Sequence, residues 1–183
     1  MNVSNLIASS IRHSVEEVFS TMMNVEINHG DAQVAQPGSE PNDGVVSLIG
    51  LAGTWVGTGS VMCSPAMACR ICSQMLMTEA TSVDEEVLDA VAELTNIIIG
   101  NVKNDLERHL GQLGLSIPTV IFGRNFKTKS AGTADWVVER FRWDQDDLVV
   151  KLCLAPNEKH SQIRPHVPGA TADQSKEKLA GTL

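Results

Sequence analysis

At 183 residues and 43% apolar content, the chain is long enough for one domain with a substantial core. With four Phe, three Trp and no Tyr, that core must rest on Val, Ile, Leu, Met and Ala. A formal net charge of −8 repels phosphodiester backbones, and no basic stripe offsets it, so nucleic acid is not expected as a ligand.

The elements follow in chain order. Asn2 to Met23 reads as an amphipathic helix, with Ile7, Ile11, Val15, Val18 and Met22 on one apolar stripe and Asn2 or Ser4 available as cap. Arg12, Glu16 and Glu17 interrupt its apolar pattern, so no signal peptide is expected there. A short strand is expected at Val25 to Ile27. Gly30 to Gly44, rich in Gly, Pro, Gln, Asp and Asn, has no periodicity and reads as a mobile surface loop. Val45 to Leu51 and Thr54 to Met62 read as strands joined by a tight turn at Ala52-Gly53. Gly57 and Gly59 in the second strand suggest a bulge or close approach to another backbone.

Ser64-Pro65 has the chemistry of a helix start, with serine as cap and proline in the first turn, and the helix is expected to run to Met77. The longest helix is expected from about Val83 to Leu110. Ser82 and Glu85 have capping-box spacing, Asp84, Glu85 and Glu86 suit the positive end of the dipole, and Gly111 and Gly114 end it. Ile117 to Phe122 reads as a strand, and Trp136 to Trp143 with Leu148 to Leu154 as a hairpin. The domain is therefore expected over residues 1–156, as an α+β fold with helices packed on one face of a largely antiparallel sheet. Residues 157–183, rich in Lys, Ser, Pro and Ala, read as a disordered tail. The run Ile97-Ile98-Ile99 is too short to span a bilayer, so a cytoplasmic protein without membrane insertion is expected.

Cys69 and Cys72 form a C-x-x-C, which invites a redox or metal reading. They fall inside a helix rather than at its start, and Cys63 and Cys153 do not complete a zinc set by spacing. The reading preferred here is four buried thiols acting as small hydrophobes, with no metal site. The five histidines, His13, His29, His109, His160 and His166, show no ligand spacing either. Neither G-x-S-x-G nor a P-loop is present, which disfavours a hydrolase with its own Ser-His-Asp or Cys-His set.

The long helix carries the chemistry. At about 100° per residue, Val87, Val91, Leu94, Ile98 and Val102 share one side, while Asp89, Glu93, Asn96 and Gly100 cluster on nearly the opposite one. Glu93 and Asn96 are neighbours at i and i+3. Exposed Glu and Asn usually mean only a solvated face. Here, however, two poor helix formers, Asn96 and Gly100, lie one turn apart on that face, as a docking surface would tolerate.

The stretch Asp89-Ala-Val-Ala-Glu93-Leu-Thr-Asn96 matches the D-x-x-x-E-x-x-N pattern of the CheC, CheX and FliY chemotaxis phosphatases, and Pro118 stands where that family has a proline, just over twenty residues on. With the glycine-rich strand, the Ser-Pro helix start and Ile98 to Asn104, the chain resembles this family over roughly Asn2 to Pro156, omitting the Gly30 to Gly44 loop. Glu16 and Glu17 on the first helix are followed by Phe19 and Ser20 and no asparagine, so a single site is present, as in the CheX type.

The resemblance implies a CheC-like fold and a phosphatase acting on the aspartyl-phosphate of a CheY-like response-regulator receiver domain. Asn96 would position the attacking water, Glu93 would dock onto the partner's lysine, and Asp89 would belong to the partner-binding surface, to which the helix-face reading above adds Gly100. It also implies no cofactor of the protein's own, Mg²⁺ on the partner receiver, and a homodimer. The alternative it leaves open is a non-catalytic response-regulator-binding or flagellar-switch-like adaptor.

Overall fold

The computed structural model describes residues 2–30, 42–126 and 135–158. Among these, three helices and a seven-stranded antiparallel sheet form an α+β fold with the helices on one face. The elements are α1 (Val3–Met22), β1 (Asn28–His29), β2 (Asn42–Gly53), β3 (Trp55–Cys63), α2 (Pro65–Leu76), α3 (Glu85–Leu110), β4 (Leu113–Leu115), β5 (Thr119–Phe126), β6 (Trp136–Trp143) and β7 (Asp146–Pro156). The sheet runs β1-β6-β7-β3-β2, and the outer edge of β2 is shared by β4 and β5.

Local chemistry sets the helix ends. The Asn2 side chain accepts from the Ser4 amide at 2.9 Å, and Ser64 Oγ accepts from the Met67 amide at 3.0 Å ahead of Pro65. For α3 the cap is Asp84, whose Oδ1 accepts from the Val87 amide at 3.0 Å, rather than the expected Ser82. Gly111 ends α3 at φ 83°, its amide donating to the Glu107 carbonyl.

Several strand expectations need correction. Val25 to Ile27 is not a strand: Ile27 is buried as a core anchor, and pairing starts at Asn28, opposite Arg142. The strand expected from Ile117 begins at Thr119, and β4, a separate three-residue strand, precedes it. The β2–β3 connection narrows to Thr54, and β2 extends back to Asn42, into the stretch read as a loop. Within that stretch residues 31–41 lie outside the described residues, as do 159–183 of the expected tail. Asn157 is tied to the sheet, its amide donating to the Thr54 carbonyl at 2.9 Å.

The core lies between the sheet and the helices. Ile7, Ile11 and Val15 of α1 meet Val91, Leu94, Ile98 and Val102 of α3, over Val45, Ile49, Val61, Val150 and Leu152 of the sheet. Gly59 lets α3 sit close: a Cβ there would stand 3.0–3.1 Å from three side-chain carbons of Ile99. Gly57 meets backbone instead, since a Cβ would fall 1.9 Å from the Cys153 carbonyl oxygen. Ser14 Oγ of α1 donates to the Ile98 carbonyl at 3.0 Å and fixes the two helices against each other.

A charge is built into this packing. Glu139 on β6 is 6% exposed and accepts two hydrogen bonds from Arg12, both 2.9 Å, and one contact from His29 Nε2 at 2.5 Å. Burial pushes the Glu139 carboxyl up, but Arg12 and His29 together outweigh it and hold it below the ordinary value of 4.5. A depressed folded pKa contributes stability that is complete above the unfolded value and lost as pH falls through the folded one. The melting temperature of wild type is therefore expected to exceed that of Glu139→Gln by a margin that shrinks as pH drops below 4.5. A margin that stays constant on acidification would show that the pair does not stabilise through its charge.

Candidate functional site

The sheet edge opposite β1 is broken, and the break makes the site. β2 pairs with β5 from Asn42 to Leu48 and with β4 from Leu51 to Gly53. At the level of Ile49 and Gly50, Ser116, Ile117 and Pro118 leave the ladder. Their path is pinned at Ser116. Its amide donates to the Gly50 carbonyl at 2.9 Å, its Oγ accepts from the Gly50 amide at 2.8 Å, and the same Oγ donates to the Ile117 carbonyl at 3.0 Å. Before β4, Glu107 Oε1 accepts from the Leu113 amide at 2.7 Å, which ties the end of α3 to the start of that strand.

Across from this segment runs the outward face of α3. Asp89, Ala92, Glu93 and Asn96 form one wall and Ser116, Ile117 and Pro118 the other, enclosing an open groove of about 540 Å³. Asp89, Glu93 and Asn96 are exposed, while Val87, Val91, Leu94, Ile98 and Val102 behind them are all 0% exposed. The buried face is the one expected from the wheel, and of the four residues expected on the outward face Asp89, Glu93 and Asn96 are exposed while Gly100 is half-buried. Among the described residues no side chain bonds to Glu93 or Asn96. The amide of Asn96 therefore presents its donors and acceptor, and Glu93 its carboxylate, to whatever enters the groove.

Gly100, one turn beyond Asn96, does not line the groove. A Cβ at that position would stand 3.9 Å from Leu115 Cδ1, so the space beside it is bounded by β4 of the same chain. The groove thus gathers three of the four expected site residues, together with Pro118. Sequence reasoning named Pro118 only as a motif position and missed Ser116 and Ile117. A polar residue and a β-branched residue immediately before proline, between two short apolar stretches, was the available signal.

The cysteines lie apart from the groove, and all four are buried free thiols. Burial pushes Cys63 up to about 12 and raises Cys69 and Cys72 as well, with Asp84 adding to both. The thiolate is the nucleophile and the metal ligand, so burial works against both uses of the C-x-x-C.

Comparison with known proteins bears on the same residues. The family model for the chemotaxis phosphatase CheX matches residues 45–142, a span that includes all of α3 and Ser116 to Pro118. The CheY-P phosphatase CheX of Thermotoga maritima is 30% identical over 128 residues, which cover 69% of this chain and 81% of that protein. A CheC-like superfamily protein from Shewanella sp. PV-4 superposes with a TM-score of 0.74 at 27% identity, over 85% of this chain and 99% of that one. The CheX–CheY–BeF3–Mg²⁺ complex from Borrelia burgdorferi matches in fold, with a TM-score of 0.67 at 24% identity over 80% of this chain and 96% of that one.

Proposed function

The chain belongs to the CheX chemotaxis phosphatase family, and on that premise we propose that it hydrolyses the aspartyl-phosphate of a CheY-like receiver domain, with Asn96 orienting the attacking water and Glu93 docking the partner. The observation that carries this reading is the pair itself: an amide and a carboxylate, i and i+3 on one rigid helix, exposed in a groove and bonded to no described residue.

An acyl phosphate is already labile. Its hydrolysis is limited by holding one water in line with phosphorus. The water oxygen bonds to phosphorus as the bond to the aspartyl oxygen breaks, leaving a free carboxylate and inorganic phosphate. A planar amide suits that task, because it can accept from the water while its N–H groups donate nearby. No general base is required when positioning and charge stabilisation carry the step, as with the glutamine that orients water in GTPases. The charge stabilisation comes from the receiver, through its Mg²⁺ and lysine. A CheX relative crystallised with CheY, BeF3 and Mg²⁺ supports a CheY-like receiver as the partner.

Glu93 answers the receiver's lysine, so that the helix seats in one register, and Asp89 lies one turn before it on the groove's rim. An ion pair desolvated by docking is worth more than one on an open surface. Glu93→Ala is accordingly expected to raise KM for the phosphorylated receiver by roughly tenfold or more and to lower kcat as well. A Glu93→Ala protein with wild-type steady-state constants would remove the docking role. The adaptor reading differs in one respect: it expects binding of the receiver with no change in the lifetime of its phosphate. The presence of Asn96 beside Glu93 favours hydrolysis, since binding alone has no use for an unpartnered amide at a mid-helix position that costs helix stability.

A further inference from the structure

The far wall of the groove holds a residue that the hydrolytic reading leaves without a task. Ile117 is 87% exposed, although it sits in a segment that the chain holds firmly. Exposed apolar residues are common, and exposure alone carries no meaning. Ile117 combines three further properties. Its backbone is pinned by the paired bonds between Ser116 and Gly50 and by the bond from Ser116 Oγ to its own carbonyl. The following Pro118 restricts it to extended conformations, and its β-branch restricts χ1. It also lines the same groove as Glu93 and Asn96. A rigid apolar side chain loses little freedom when covered, so it suits binding better than a floppy one.

We infer that Ile117 is an apolar anchor that packs against the phosphorylated receiver domain beside its acyl phosphate, setting affinity from the wall opposite Asn96 and Glu93. The inference rests on the phosphatase reading above. Its occupant follows from continuity: a molecule that delivers a phosphate to Asn96 fills a groove of which Ile117 is the other rim. A second copy of this chain seated there would block the site. Covering Ile117 also removes bulk water from the side of the groove away from the helix, which strengthens the ion pair at Glu93.

The test is steady-state dephosphorylation of a cognate phosphorylated receiver by full-length wild type, Ile117→Ser and Ile117→Leu, with melting curves and sedimentation for each. Ile117→Ser is expected to raise KM about tenfold, the scale of losing one buried branched side chain, with kcat and melting temperature close to wild type. Ile117→Leu is expected to recover most of the affinity. An unchanged KM in Ile117→Ser, with Asn96→Ala still slow, would overturn the anchor and leave the phosphatase reading standing. A wild type that dephosphorylates no receiver would overturn both. A fall in kcat that tracks a fall in melting temperature would assign Ile117 to the fold and overturn the anchor. A shift in sedimentation confined to Ile117→Ser would assign it to self-association, with the same consequence.

Discussion

Asn96→Ala is expected to slow dephosphorylation of the cognate receiver by ~10²-fold or more while the melting temperature stays the same or rises slightly. The two halves of that expectation have separate causes. Asn96 is exposed and no described side chain bonds to it, so its removal costs no packing and breaks no intramolecular bond. Alanine is also the better helix former at a mid-helix position, by roughly 0.5 kcal/mol. Catalysis loses what the methyl group cannot supply, an acceptor and donors held in one plane at the level of the phosphorus. On the proposed reading the partner's metal ion and lysine would still grip the phosphate, and Glu93 and Ile117 would still meet the receiver, so the loss is expected to fall on kcat more than on KM. Single-turnover phosphate release with a saturating excess of the variant checks this directly. Wild-type speed would remove Asn96 from the mechanism.

Leu94→Ala should give the reverse pattern. Leu94 is 0% exposed, on the side of α3 that packs against α1 and the sheet. Truncating it loses the transfer free energy of the removed carbons and leaves a cavity that the surrounding side chains fill only in part, at a cost of about 2–5 kcal/mol. For a chain of this size that corresponds to a fall of roughly 10 °C in melting temperature. Because Glu93 and Asn96 project from the opposite face, the rate per folded molecule, measured well below the transition, is expected to stay near wild type. Thermal melts paired with rates at low temperature separate the two contributions. A Leu94→Ala protein that melts like wild type would mean that the dry face of α3 is not the packing surface described.

These two residues also show why much of the molecule was legible before the structure. Over 26 residues of α3, a period of 3.6 leaves little ambiguity about which side is buried. The groove wall on α3 follows from that alone. The cap was less legible: Ser82 and Asp84 both have capping chemistry, and the choice fell to Asp84, with Val83 packed against the core. The short strands could not be read, because pairing rather than propensity makes them. β4 exists because Leu113 to Leu115 lie against Leu51 to Gly53, and β1 because Asn28 and His29 lie against Phe141 and Arg142. For the same reason nothing around Glu139 in the expected strand Trp136 to Trp143 marks it as a buried charge. Its partner Arg12 is 127 residues away, and no local pattern announces such a pair. Ile117 was hidden similarly, since an apolar residue next to a strand reads as part of it until the ladder shows the break at Gly50.

The claim that joins fold, groove and family is that this surface turns over phosphorylated receivers rather than merely holding them. The most direct measurement is the phosphate remaining on candidate phosphorylated receivers over time, with this protein added in substoichiometric amount. Loss much faster than the receiver's own decay, through many turnovers per molecule of protein, is the predicted result. Decay at the receiver's own rate for every candidate, even one that binds this protein tightly, would contradict it.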